Sequence, residues 1–349
     1  MKTAKTTIFS LAVLSLALFL PATARADWSP EDPYKYLQLP DLTTNGMDVN
    51  ASGHDEWLEV PGGGEAEFFI PKILADDFEC TQTEYITDIH IWGSWKGDIL
   101  PQVPDVGSAP IPDPGNVLFG LAIFDDIPEV KNTAGEVLAH SRPGAFRWGG
   151  FFFPGDFAVA PPLQVLGGGK EGWFDPNTGV YTENADENIY QYNFDIPVNP
   201  GADSMVQPAF QQQGTAGAPI TYWLAVLAIP DPYDLADPPP PEGEEPMFGW
   251  KTRDPNEGHY MDDAVWTDLE PILDGTEGDV QGPQGEWYTI GPWGELRYPN
   301  GHPYGPDTTP GGDLGLSIDL AFVITPEPAT LIVLALGLIP TLLRRRKRA

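Results

Sequence analysis

Residues 84–95 read Glu-Tyr-Ile-Thr-Asp-Ile-His-Ile-Trp-Gly-Ser-Trp. Thr87, Ile89 and Ile91 fall on one face of an extended chain, and Ile86, Asp88, His90 and Trp92 on the other. This period of two, with β-branched and aromatic residues, predicts a β-strand. Outward from it, similar runs recur between clusters of Gly, Pro, Asn and Asp: 67–74, 117–124, 151–159, 188–196, 220–229, 248–252, 287–290 and 316–324. The run 117–124 is continuously apolar, as a central strand requires. Tyr34 to Leu39 suits an edge strand. No stretch between the two chain ends keeps a helical period. About nine to eleven strands predict an all-β chain, a single antiparallel β-sandwich or jelly-roll-like domain over 66–324 with long Pro/Gly-rich loops. Residues 27–65 are expected to form an irregular lead-in. The acidic, proline-rich stretch 231–246 reads as a solvated loop, because apolar runs continue on both sides of it.

Composition supports this reading. The chain has 349 residues with 39 Pro and 38 Gly, too many for a protein of long helices. A hydrophobic content of 41% supplies a core, against disorder. Charge is distributed unevenly. Of the 18 Lys and Arg, three (Lys2, Lys5, Arg25) precede residue 27 and five follow residue 343, while Glu327 alone among the 51 acids lies outside 27–325. The middle therefore holds 10 cations and 50 acids, a net charge of -40. Such a surface repels nucleic acid and anionic lipid.

Both ends carry signals. In residues 1–26 a basic start precedes the apolar run Ile8–Leu20 and the small-residue site Ala24-Arg25-Ala26, so a signal peptide cleaved between Ala26 and Asp27 is expected. At the other end an apolar segment, 329–343, is followed by Arg344, Arg345, Arg346, Lys347 and Arg348. A helix of this length spans about 22 Å, short of a roughly 30 Å hydrocarbon layer. It makes a brief transmembrane anchor whose basic end stays cytoplasmic.

Pro326-Glu327-Pro328, the short apolar helix and the Arg-rich end, in that order over 325–349, resemble the PEP-CTERM sorting signal. The resemblance implies a bacterial envelope protein handled by signal peptidase and then by an exosortase, a membrane transpeptidase-like protease. Removal of the tail near Pro-Glu-Pro would leave the rest at the cell surface or in its polysaccharide matrix. The stretches Leu74–Cys80, Ile86–Trp95, Tyr222–Val226, Phe248–Arg253 and Met261–Trp266 are similar to an uncharacterised domain of secreted bacterial proteins with this same signal. That resemblance implies an architecture and no chemistry.

Catalytic motifs are not evident in the sequence. The single Cys80 has no partner for a disulfide, and reads as a small buried residue beside Phe78. Five histidines show neither H-E-x-x-H nor H-x-H spacing. Gly167-Gly168-Gly169-Lys170 lacks the outer Gly and the Ser or Thr of a phosphate loop. Asp175-Pro-Asn177-Thr-Gly179 fails the EF-hand pattern and reads as a β-turn. Among acids beside predicted strands, Asp77 and Asp263 are the candidates for a structural calcium ion. Trp92 and Trp223 are expected in the core. Trp293, among Pro292, Gly294 and Tyr298, is the candidate for stacking on a sugar. The function expected is that of a non-enzymatic surface or matrix protein. The alternatives are a carbohydrate-binding module for extracellular polysaccharide, or a secreted polysaccharide-active enzyme. Intact-mass measurement of the exported protein should find its N-terminus at Asp27, and a mature form retaining residues 1–26 would refute the signal peptide.

Overall fold

The computed structural model describes residues 28–60, 62–103, 109–202, 204–230, 245–258, 262–273, 276, 278–281, 287–306 and 315–325. Its main strands are β1 (Tyr36–Gln38), β2 (Met47–Asn50), β3 (His54–Glu59), β4 (Glu65–Ile70), β5 (Lys72–Cys80), β6 (Asp88–Trp95), β7 (Val117–Ile127) and β8 (Arg142–Phe152). They continue as β9 (Glu171–Asp175), β10 (Val180–Asp186), β11 (Asn188–Asp195), β12 (Ile220–Pro230), β13 (Phe248–Lys251), β14 (Val265–Pro271), β15 (Trp287–Ile290) and β16 (Phe322–Thr325). Shorter strands lie between them, and no α-helix occurs among the described residues.

Two large sheets result. In the first, of ten strands, the main path is β1–β16–β6–β13–β2–β9–β10, and β11 occupies the other edge of β6. In the second, of eight, the path runs β8–β7–β12–β5–β14–β15 and on into a short strand. The β3–β4 hairpin stands apart from both. The inner faces meet in one apolar cluster, to which β6 gives Ile89, Ile91 and Trp95, β7 gives Phe119 and Leu121, and β12 gives Leu224 and Val226. This is the all-β, sandwich-like architecture that the alternating runs predict. Smaller clusters cover both outer faces: Trp92, Val323 and Trp28 on the first sheet, and Trp223, Phe124 and Val265 on the second. Trp92 and Trp223 are thus buried as expected, though neither points between the sheets.

Three features differ from the sequence reading. Residues 27–65 are not an irregular lead-in: β2 lies deep inside the first sheet, between β13 and β9. Its pairing with β9 is parallel, so the domain is not purely antiparallel. Between β2 and β9 the chain passes through the β3–β4 hairpin, β5 in the second sheet, β6 in the first and β7 and β8 in the second, which supplies the crossover that parallel strands need. The run 67–74 breaks at Pro71, which has no N–H for a ladder, and its halves serve the hairpin and the second sheet separately. The expected turn at 175–179 does join β9 to β10, with Gly179 at φ 67°.

β6 organises the first sheet. Along one edge it pairs with β11 over Asp88–Ser94. Its other edge is shared by two strands far apart in sequence, β16 against Asp88–Ile91 and β13 against Gly93–Trp95. The strand ends are laced by Trp250, whose indole N–H donates to Ala321 O at 2.8 Å, and by Ala321 N–H to Lys251 O at 2.8 Å. A side chain at Gly93 would collide with this junction, since its Cβ would stand 2.3 Å from Gly249 O.

Phe119 joins the two layers. Its ring packs edge-to-face on Tyr192 and Phe248 at 5.0 Å and on Phe157 and Phe194 at 5.3 Å. Phe119→Ala should lower the unfolding free energy by about 3–5 kcal/mol in urea titration. A loss below about 1 kcal/mol would mean that this inter-sheet contact is not the core described.

Candidate functional site

Alternation puts Met47, Val49, Phe248 and Trp250 between the sheets and turns Asp48 and Lys251 to the outer face of the first sheet. Lys251 on β13 stands directly across from Asp48 on β2, and Glu171 on β9 directly across from Asp186 on β10. Since β2 runs beside β9, four consecutive strands each place one charged side chain in a single row. Ser94 on β6 extends the row by donating its hydroxyl to Glu171 Oε1 at 3.1 Å.

The row is fully enclosed. Asp48, Glu171, Asp186 and Lys251 all have no solvent-exposed surface. The turn at 41–46 closes over it, and a Cβ on Gly46 would lie 2.5 Å from Lys251 Nζ and 3.0 Å from Glu171 Oε2. That turn is held in turn by His302, whose Nε2 meets Asn45 O at 3.0 Å while Nδ1 accepts from Tyr304 N–H at 3.1 Å. Burial, aided by the Lys251 charge and opposed by the Asn45 contact, pushes His302 down to about 4, so it is neutral and donates through Nε2.

Lys251 donates to Glu171 Oε2 and lies 3.8 Å from Asp48 Oδ2. Neither oxygen of Asp48 nor of Asp186 accepts a hydrogen bond in this geometry. Burial, then the Glu171 charge, raises Asp48 well above the carboxylate range, with Lys251 and the nearby Ser94 hydroxyl opposing. Burial, then the charges of Asp48 and Glu171, does the same to Asp186. Burial alone would lower Lys251, but the surrounding carboxylates, Glu171 foremost, hold it above its ordinary value. The row thus pairs Lys251 with Glu171 and flanks them with two carboxyl groups whose burial favours the protonated form. The three carboxyl groups lie within 4.8 Å of one another, close enough to grip a cation, and the cation standing beside them is the Lys251 ammonium.

The expected calcium residues lie elsewhere and apart from each other. Asp77 on β5 points to the outer face of the second sheet and is buried. Burial, then the negative charge of Asp262, pushes it up to about 9, against the weaker pull of the Asp262 backbone N–H, with Asp319 and Asp126 adding to the rise. Asp263 instead pairs with Arg297 at 2.6 Å and accepts from Ser317. Asp76, on the opposite face of β5, sits in the inter-sheet core and accepts from the N–H groups of Asp77 and Leu320. Trp293 is half-buried, packed edge-to-face on Phe124 at 6.4 Å. Among the described residues, exposed aromatics are scattered over separate elements: Trp57 on β3, Phe146 on β8, and Tyr34 and Tyr85 in loops. Cys80 is buried and donates to Gln212 at 2.9 Å, its thiol pushed up to about 12 by burial. Ala26, Asp27, Pro326, Glu327, Pro328, Arg344, Arg345, Arg346, Lys347 and Arg348 lie outside the described residues, as does the expected helix 329–343. Among the described residues no helix is long and apolar enough to cross a membrane.

An open cavity of about 680 Å³ is lined by Asp125, Asp126, Arg147, Phe210 and Tyr222. Its two acids are successive residues of β7 and point to opposite faces. Asp125 is held by Arg147, and Asp126 accepts from the Trp223 indole at 2.9 Å. They do not form the facing carboxyl pair of a glycoside hydrolase.

Residues 34–325 match the family described as Domain of unknown function (DUF7901). The chain belongs to that family. No curated protein and no solved structure matches it. The charged row lies wholly inside the DUF7901 domain, on strands whose buried outer-face positions are acidic. Sequence alternation therefore misses it, and only the hairpin turn at 175–179 marks its neighbourhood.

The acid at Asp77 has a testable consequence. Because its folded value is raised, the folded domain binds a proton there that the unfolded chain has released above about pH 4. Stability falls as pH rises through this window, by about 1.4 kcal/mol per pH unit for one such group. Asp77→Asn should make urea-determined stability fall less steeply between pH 5 and 7, by about one proton. An unchanged slope would show Asp77 to be ionised in the fold.

Proposed function

We propose that this DUF7901 domain is the non-enzymatic, surface-exposed part of an exported protein, delivered by a signal peptide and sorted through its C-terminal Pro-Glu-Pro signal by an exosortase-type protease. The observation that carries the reading is the position of β16. This strand is paired on both sides, with β1 and β6, and its last residue, Thr325, directly precedes Pro326. The folded domain thus runs without a linker into the segment read as a sorting signal. Each proline of Pro-Glu-Pro disfavours helix in the residue before it, which suits a stretch that a protease would bind as a strand.

The acid content supports the same reading. Such a net charge keeps domains apart from one another and from anionic lipid at a crowded surface. The strongly shifted carboxyl groups Asp48, Asp76, Asp77 and Asp186 lie inside the sheets, where they act on folding and have no access to a diffusing substrate. Extracellular polysaccharide remains a partner of the matrix in which the domain would sit.

Replacing Pro326-Glu327-Pro328 by three alanines should leave the tail uncleaved and retain the protein in the cytoplasmic membrane. Surface delivery and mature mass identical to the wild type would overturn exosortase sorting.

A further inference from the structure

We propose that Lys251 and Asp48 join in an intramolecular isopeptide bond that cross-links β13 to β2, with Glu171 as the proton acceptor and Asp186 as the acid beside the leaving oxygen. The bond would be a covalent modification of the domain by its own side chains, independent of the sorting reading.

Four observations converge on it. The amine and the acid are cross-strand partners in adjacent strands, with Nζ 3.8 Å from Asp48 Oδ2. A Lys Nζ held in this register meets the same carboxyl group at every fluctuation, the condition under which an otherwise slow condensation becomes effectively unimolecular. Second, the row is sealed from water, so hydrolysis has no water to draw on and condensation is favoured. Third, Glu171 is fixed for proton transfer: Ser94 holds Oε1, and Oε2 receives the Lys251 amine. Fourth, the Asp48 and Asp186 oxygens are buried and accept no hydrogen bond, a costly arrangement that amide formation relieves at Asp48.

The chemistry balances without an oxidant or cofactor. The Lys251 ammonium gives one proton to the Glu171 carboxylate and becomes a neutral amine, the form that attacks. Burial favours the protonated form of Asp48, the form that is electrophilic at Cγ. Nζ adds to Asp48 Cγ, and the tetrahedral centre then loses its hydroxyl. The second proton from Nζ reaches that hydroxyl through Asp186, which gives one proton and regains one. One C–N bond forms, one C–O bond breaks and one water leaves. With Asp48 and Asp186 protonated, the row begins as an ion pair with two uncharged acids. It ends as a neutral amide with Glu171 and Asp186 both uncharged, so no buried ion is left.

Such a bond suits a chain whose single cysteine rules out an internal disulfide. It would close the chain between residues 48 and 251 and tie together two four-residue strands of the first sheet.

The test is peptide mapping of the folded full-length wild-type protein after denaturation and trypsin digestion. With the bond, trypsin cannot cut after Lys251, and peptide 36–72 appears joined to 171–253. The joined product should be lighter by one water than the two separate peptides, with fragment ions placing the link on Asp48. Cleavage after Lys251, with both peptides at full mass, would overturn the proposal, as would a link located on Glu171. Lys251→Arg and Glu171→Gln should release the separate peptides. Both variants should melt roughly 10 °C lower than the wild type, the scale expected for loss of a long-loop cross-link in a domain of this size. If a variant fails to fold, the wild-type map alone decides. An uncross-linked wild type that melts higher in millimolar Ca²⁺ than in NaCl of equal ionic strength would make the row a cation site instead, and would equally overturn the bond.

Discussion

The placement of Lys251 is the constraint on which the first sheet depends. It lies in a domain with only 10 cations among 50 acids, and it is one of the few cations with no contact with water. A lysine in that position would be costly alone, and three buried carboxyl groups would be costly together. Each is tolerable only because strands from residues 47–50, 171–175, 180–186 and 248–251 align in one register. A shift of one residue in any of them would turn its charged group toward Phe119, Phe248 and the inter-sheet core. The row therefore specifies the pairing of strands that share no continuous apolar pattern.

This explains which parts of the fold can be read from sequence. β6, β7, β11 and β12 are legible because their residues are apolar on one or both faces, and all four lie near the middle of a sheet. β2, β9 and β10 are not. Met-Asp-Val-Asn and Glu-Gly-Trp-Phe-Asp have polar groups on the face that an ordinary half-exposed strand turns to solvent. Here that face is buried too, under the turn at 41–46. Alternation tells which residues share a face and is silent on whether the polar face is wet. For the same reason, Asp77 could be singled out beside a strand, but not Asp48, Glu171 or Asp186, whose strands went unseen. Trp293 is legible only in part: its Pro- and Gly-rich neighbours suggest exposure, and the ring is half-buried beside Phe124 on β7.

The buried acids also connect fold to environment. Asp76, a carboxyl group in the inter-sheet core, uses both oxygens to accept N–H groups from β5 and from the residue before the last strand segment, Leu320. It thus ties the second sheet to the chain that leads into β16. Asp77, one residue on, faces the other way and is held uncharged. Adjacent positions on one strand have different surroundings because the pleat turns them to opposite faces.

The path from the chain end to the charged row is short. Beyond Thr325 the chain continues as Pro326, so any force on the tail enters the domain through β16. β16 is antiparallel to β1 and to β6, so a pull along the strand loads its ladder hydrogen bonds together in shear, which resists better than opening them one by one. Next along the same edge of β6 comes β13, joined to the approach of β16 by the Trp250 indole and the Lys251 carbonyl. Lys251 then reaches across to β2. A load from the tail consequently spreads from a four-residue strand into β6 and β13. At β13 the side chain of Lys251, through its contacts with Asp48 and Glu171, engages the two strands beyond. This gives the buried charge a mechanical role: strands too short to hold by ladder bonds alone are gripped from the side by a row of groups that water cannot reach.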